Sequence, residues 1–156
     1  MWLNISTLEK ECINWDEIKN LPKSDLDIWP VYKDHKVKAI KLGDKYRLID
    51  LEISGLIKDL NKAGHKTDFC CAGHKVGNFR NCCGYISFTN TEENRKFIAR
   101  VALAWIEDIS QDRQHSMFYI DPPCVIRFKY SAEVRLEILE KLRNLFYDKT
   151  GNIISI

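Results

Sequence analysis

Four of the six cysteines fall between Cys70 and Cys83, interleaved with His74, Lys75 and Arg80. The stretch reads Thr67-Asp68-Phe69-Cys70-Cys71-Ala72-Gly73-His74-Lys75-Val76-Gly77-Asn78-Phe79-Arg80-Asn81-Cys82-Cys83-Gly84-Tyr85. Two chemistries fit these residue types. As soft donors, Cys71, His74, Cys82 and Cys83 could supply four ligands to a structural zinc, from one strand end and the next strand start. The spacing is loose for that purpose, because neighbouring cysteines in a strand point to opposite faces. As a phosphate cradle, Gly73 and Gly77 let backbone N–H groups face an anion. His74, Lys75 and Arg80 then add hydrogen-bonding or charged tips, and Phe79 and Tyr85 could stack on a base. The plain structural reading is a set of small packed thiols beside a surface histidine.

A complete catalytic set is harder to assemble. A two-histidine phosphodiesterase needs two His-x-Ser/Thr motifs on facing strands. His65-Lys66-Thr67 supplies one, while His35-Lys36-Val37, His74-Lys75-Val76 and His115-Ser116-Met117 do not supply the second. One histidine cannot serve as both acid and base at once. A cysteine nucleophile needs an aligned base, and the nearness of Cys71 and His74 in sequence does not align them. No Walker loop, Gly-x-Gly-x-x-Gly or His-Glu-x-x-His occurs. The expectation is therefore binding without catalysis: no catalytic residues, and Gly73, His74, Lys75, Phe79, Arg80 and Tyr85 around a phosphorylated nucleotide-like small molecule. No cofactor is expected beyond the zinc alternative.

A chain of 156 residues suits one α+β domain with a core of its own. Residues 1–30 read as a lid, a helical arm or a packed helix, and the pattern does not choose among them. The net charge of +2 is too small to draw nucleic acid by whole-chain electrostatics, although nucleic acid stays on the list of partners. Charge is unevenly spread. Lys10, Lys19 and Lys23 face Glu9, Glu11, Asp16, Glu17, Asp25 and Asp27 in residues 1–30. Residues 31–48 reverse the sign, with Lys33, Lys36, Lys38, Lys41, Lys45 and Arg47 against Asp34 and Asp44. That basic stretch is either a phosphate attractor or a solvated hairpin face. The start of the chain lacks a basic, apolar leader, and no apolar run approaches the roughly 20 residues of a membrane span. A cytoplasmic, reducing setting follows, with thiols in place of disulfides and no membrane partner. A homo-oligomer is compatible with all of this. Lysine outnumbers arginine two to one, the usage of an AT-rich genome such as a low-GC bacterium or its phage.

The elements that must position the segment can be read from periodicity. Ser6-Thr7-Leu8-Glu9 and Asn14-Trp15-Asp16-Glu17 are capping-box patterns for short helices. Val37–Leu42 and Lys45–Ile49 flank Gly43-Asp44, a two-residue hairpin turn. Asp50 caps a helix over Leu51–Ala63, striped by Ile53, Ile57 and Leu60 and stopped at Gly64. Strands follow at Thr67–Ala72 and Gly84–Thr89, separated by a loop over Gly73–Cys83. Asn90-Thr91-Glu92-Glu93 opens a helix Thr91–Ile109 that carries Phe97, Val101 and Trp105 on one face. Met117–Ile120 and Cys124–Tyr130 are strands joined at Asp121-Pro122-Pro123, with Cys124, Ile126, Phe128 and Tyr130 on one face. A last helix, Ala132–Tyr147, carries Val134, Ile138, Leu142 and Leu145. The order from Lys45 to Tyr130 is strand, helix, strand, strand, helix, strand. That is the ferredoxin-like βαββαβ order. It predicts a mostly antiparallel sheet with an extra N-terminal hairpin strand and a C-terminal helix.

Between Asp50 and Phe88 the pattern resembles the wybutosine-synthesis tRNA methyltransferase family. There, a helix precedes a strand ending in Ser-Cys-Ser-Gly-Arg. Here Ile57–Asn61 precedes Cys70-Cys71-Ala72-Gly73-His74. Cys71 and Gly73 match; Cys70, Ala72 and His74 replace the serines and the arginine. This resemblance implies a tRNA-modifying enzyme. The segment is also similar to small phage and low-GC bacterial proteins with a Cys-x-Gly-His strand end. That likeness implies an anti-defence protein that sequesters a nucleotide signal. A zinc-clipped interaction module is the third alternative.

Overall fold

The computed structural model describes residues 9, 12–27, 36–76, 80–82, 84–109, 118–128 and 135–155. At 74–76, 80–82, 104–109 and 135 the description is of the backbone alone. The chain divides into two compact units, Met1–Lys58 and Asp59–Ile156. No helix among the described residues is long and apolar enough to cross a membrane.

The first unit is built on the expected hairpin. Strand β2 (Val37–Leu42) pairs antiparallel with β3 (Lys45–Asp50) from Val37↔Asp50 to Leu42↔Lys45. The turn works because Gly43 takes a φ of 67°, which an L side chain resists. Strand β1 (Leu26–Asp27) adds parallel to the other edge of β3. Cys12, Ile18, Val37 and Ala39 form the buried centre, with Trp15, Leu21, Leu26, Tyr46 and Leu48 packed around it. Part of the basic stretch is neutralised locally, since Lys45 and Arg47 each lie 3.7 Å from Asp27.

Asn14 departs from its expected role. It sits at the N-cap of α1 (Trp15–Ile18) but makes no capping bond. Its amide instead donates to the Ala39 carbonyl at 2.8 Å and accepts from the Ala39 N–H at 3.0 Å. The Ile13 N–H donates to Val37 O beside it. An edge strand presents unpaired donors and acceptors, and a primary amide matches both. Saturating β2 therefore takes precedence over capping a four-residue helix. The other capping box lies outside the described residues except for Glu9.

Helix α2 (Leu51–Lys62) ends as predicted. Ile53, Ile57 and Leu60 are buried. Gly64, at φ 95°, closes a Schellman motif in which His65 N–H donates to Leu60 O and Gly64 N–H to Asn61 O.

In the second unit, β4 (Thr67–Cys71), β7 (Gly84–Phe88), β8 (Phe118–Asp121) and β9 (Val125–Phe128) form an antiparallel sheet. Its order is β4-β7-β9-β8. Ile86, Phe88, Phe118, Cys124, Ile126 and Phe128 point into the core. Phe97, Ile98 and Val101 of α3 (Glu92–Ile109), and Ile138, Leu142 and Phe146 of α4 (Arg135–Phe146), are buried as well. The Phe88, Phe97 and Phe146 rings are 6.1–6.3 Å apart, which joins strand and both helices in one aromatic cluster.

The protein is thus α+β with mostly antiparallel sheets, and its elements follow the ferredoxin-like chain order. The pairing distributes those strands over two sheets. β3 has β2 on one edge and β1 on the other, so it has no edge left for β7. The place beside β7 is taken by β9. A smaller difference concerns the α3 start. Thr91, one residue later than expected, caps α3 by accepting the Asn94 N–H at 3.1 Å. Tyr130, Ala132 and Val134 lie outside the described residues, as do the side chains of Trp105 and Arg135.

His65 stacks on Phe97 with ring centroids 3.7 Å apart. Asn94 Nδ2 donates to Lys66 O and Thr89 O, while the Thr67 hydroxyl accepts from Asn61 at 2.9 Å. The His65-x-Thr67 pair is therefore built into the strand entry. His65 Nδ1 and Asn94 Oδ1 are buried without a partner of hydrogen-bonding geometry among the described residues. Burial lowers the imidazole pKa from the usual 6.5, and the Asn94 amide only partly offsets this. The unfolded chain then binds more protons just below that pH, so this histidine's contribution to stability is whole above its unfolded pKa and is lost as pH falls from there through the lowered folded one. His65→Phe keeps the stack and removes the titration. Melting temperatures followed from about pH 7.5 to about pH 5.5 should fall less steeply in the variant. Equal slopes would show that His65 does not titrate on unfolding.

Candidate functional site

The Cys/His segment is a hairpin in place of the expected loop. Strand β5 (His74–Val76) pairs antiparallel with β6 (Arg80–Cys82), in the register His74↔Cys82, Lys75↔Asn81 and Val76↔Arg80. It continues directly from the β4–β7 pair, whose last partners are Cys71 and Tyr85. Gly73, buried and at φ 89°, turns the chain between them. Its N–H donates to Cys71 Sγ at 3.4 Å.

Of the predicted ligand residues, Gly73 is at the turn, His74 and Lys75 are on β5, Arg80 is on β6 and Tyr85 is on β7. Phe79 lies outside the described residues. So does Cys83 among the predicted zinc donors; His74 and Cys82 share a register position, and Cys71 stands one turn away on β4. Among the described residues no group of three His, Cys, Asp or Glu side chains is gathered for a metal. The side chains of His74 and Cys82 fall outside that description. Cys12 and Cys124 are free thiols, both buried.

The sheet holds more than the segment revealed. Strand alternation sends Gly84, Ile86 and Phe88 inward and Tyr85 and Ser87 outward. The same rule turns Arg127 and Val125 of β9, and Tyr119 and Asp121 of β8, to the outer face. Registers then align one residue per strand in a row, Cys71–Tyr85–Arg127–Tyr119. A second row is Phe69–Ser87–Val125–Asp121. Phe69 is 45% exposed and Tyr119 43%.

Within the first row, the Arg127 guanidinium carbon lies 5.6 Å from the centre of the Tyr85 ring. Arg127 Nε donates to Asp121 Oδ2 at 3.1 Å, which steadies the guanidinium on that side of the sheet. At the opposite edge, Thr89 Oγ1 donates to Asp68 Oδ1 at 2.7 Å and ties β4 to the end of β7. Gly84 fixes the register of the row from beneath. A Cβ at that position would overlap the buried Phe128 ring. A flat aromatic surface carrying a cation is suited to planar, electron-rich and anionic groups.

Tyr119, Arg127, Phe69 and Asp121 were not anticipated from sequence. A signal existed, because the expected inward face Cys124, Ile126 and Phe128 is indeed buried. Alternation then leaves Arg127 outward, and the pairing of β8 to β9 puts Tyr119 opposite it. That pairing partner is the information a single strand does not carry. No family model matches the chain, and no curated protein or solved structure shows significant similarity to it.

Proposed function

We propose that the outer face of the β4-β7-β9-β8 sheet, with the adjoining β5–β6 hairpin, binds a phosphorylated nucleotide-like ligand and releases it unchanged. The observation that carries this reading is the row Cys71–Tyr85–Arg127–Tyr119, in which a guanidinium lies over a tyrosine ring. Every nucleobase has a π-face, so a tyrosine–arginine surface accepts one by stacking. The hairpin follows Tyr85's strand partner directly in the chain and brings His74, Lys75 and Arg80, donors suited to phosphate. A protein of this kind acts by withholding its ligand, the behaviour expected of a phage-type anti-defence protein that sequesters a nucleotide signal.

Calorimetric titration with nucleoside monophosphates tests the reading. His74→Ala and Arg80→Ala should each weaken binding by about 1–3 kcal/mol, the scale of a charge-assisted hydrogen bond left unmade. Mass spectrometry of ligand released by denaturation should recover it intact. A cleaved or methylated product at many turnovers per protein, with tRNA among the substrates offered, would replace the binder with an enzyme.

A further inference from the structure

We infer that the ligand of this face carries two nucleobases joined through phosphate, one stacked at Tyr85–Arg127 and the other at Tyr119. The inference rests on the nucleotide-binding reading above and extends it. Tyr85 and Tyr119 occupy one row but strands two apart, with β9 between them. Adjacent strands are about 4.8 Å apart, so the two tyrosine positions are separated by roughly 10 Å. That span is wider than one base stacked over a single ring.

Between the two rings, in the same row, stands Arg127. Asp121 engages its Nε and leaves the Nη donors for another anion. The row therefore alternates ring, cation, ring. A dinucleotide alternates base, phosphate, base. Tyr119 is 43% exposed on the outermost strand, where a second base can reach it without displacing the first. Phe69 has comparable exposure but belongs to the other row, opposite Ser87.

Charge provides a demanding comparison. Adenosine monophosphate carries about two negative charges near pH 7, whereas the dinucleoside monophosphate ApA carries one. Simple attraction to the basic hairpin favours the mononucleotide; two stacking sites favour ApA. Titration of both probes at one salt concentration should show ApA binding at least tenfold more tightly. In Tyr119→Ala the ratio of the two affinities should collapse toward one, and in Tyr119→Phe it should persist, because phenylalanine still stacks. Tetra-adenylate distinguishes the source of the two bases: affinity equal to that of ApA identifies a dinucleotide, and higher affinity identifies a single strand. Equal affinity for AMP and ApA in the parent protein, or an unchanged ratio in Tyr119→Ala, would overturn the two-base ligand while the single-base reading survived. Failure of the parent to bind any of the three would overturn both.

Discussion

Gly84→Ala should lower stability by about 3 kcal/mol, at the upper end of the cost of overpacking a core. For a chain of this size that corresponds to roughly 10 °C in melting temperature. Gly84 is buried and directly paired with Phe128, whose ring lies where the new methyl would go. Phe128 is itself 1% exposed and also pairs with Phe118, so its ring has little room to retreat. The interaction is tested by a double-mutant cycle. Phe128→Leu alone should be destabilising, because it leaves part of the ring's volume empty. In that background Gly84→Ala should cost much less than in the parent, since the ring that opposed it is gone. Additive costs would mean that the strain arises elsewhere. The same contact bears on function, because Gly84 precedes Tyr85 and holds β7 in register with β9.

Tyr85→Ala should weaken nucleoside monophosphate binding by about 2 kcal/mol, or roughly 30-fold, the scale of a lost base–aromatic stack. Tyr85→Phe should bind nearly as the parent does, because the ring carries the contact. Arg127→Lys separates charge from shape. It keeps the positive charge but loses the planar guanidinium that covers Tyr85 and donates to Asp121 through Nε. Its affinity should fall between the parent and Arg127→Ala. Equilibrium titration with thermal melts of each variant distinguishes loss of the site from loss of the fold. Parental affinity in Tyr85→Ala would remove the sheet face from the binding site.

Local signals were legible in the chain. Gly43-Asp44 marks a turn, Gly64 ends α2, and the apolar stripes of α2, α3 and α4 identify residues found buried, including Ile57, Phe97 and Leu142. Each depends on neighbours within a few positions. Pairing between distant strands was not legible. β3 reads as a strand from its own residues, yet its partners β1 and β2 decide which sheet it joins. Asn14 illustrates the same competition at one side chain. Its sequence context reads as a cap, while the Ala39 backbone, 25 residues away, engages both the nitrogen and the oxygen of its amide. At the candidate site, clustering along the chain drew attention to Cys70–Tyr85. Arg127 and Tyr119 join Tyr85 only through register, so residue type and spacing could not bring them together.

The most direct measurement of the central claim is a backbone NMR titration of the intact protein with adenosine monophosphate. Binding at the sheet face predicts shift changes centred on Tyr85, Arg127 and Tyr119 and continuing into His74–Cys82. The basic strands Val37–Leu42 and Lys45–Asp50 should change little. Shifts confined to those basic strands, or no shift at saturating nucleotide, would contradict it.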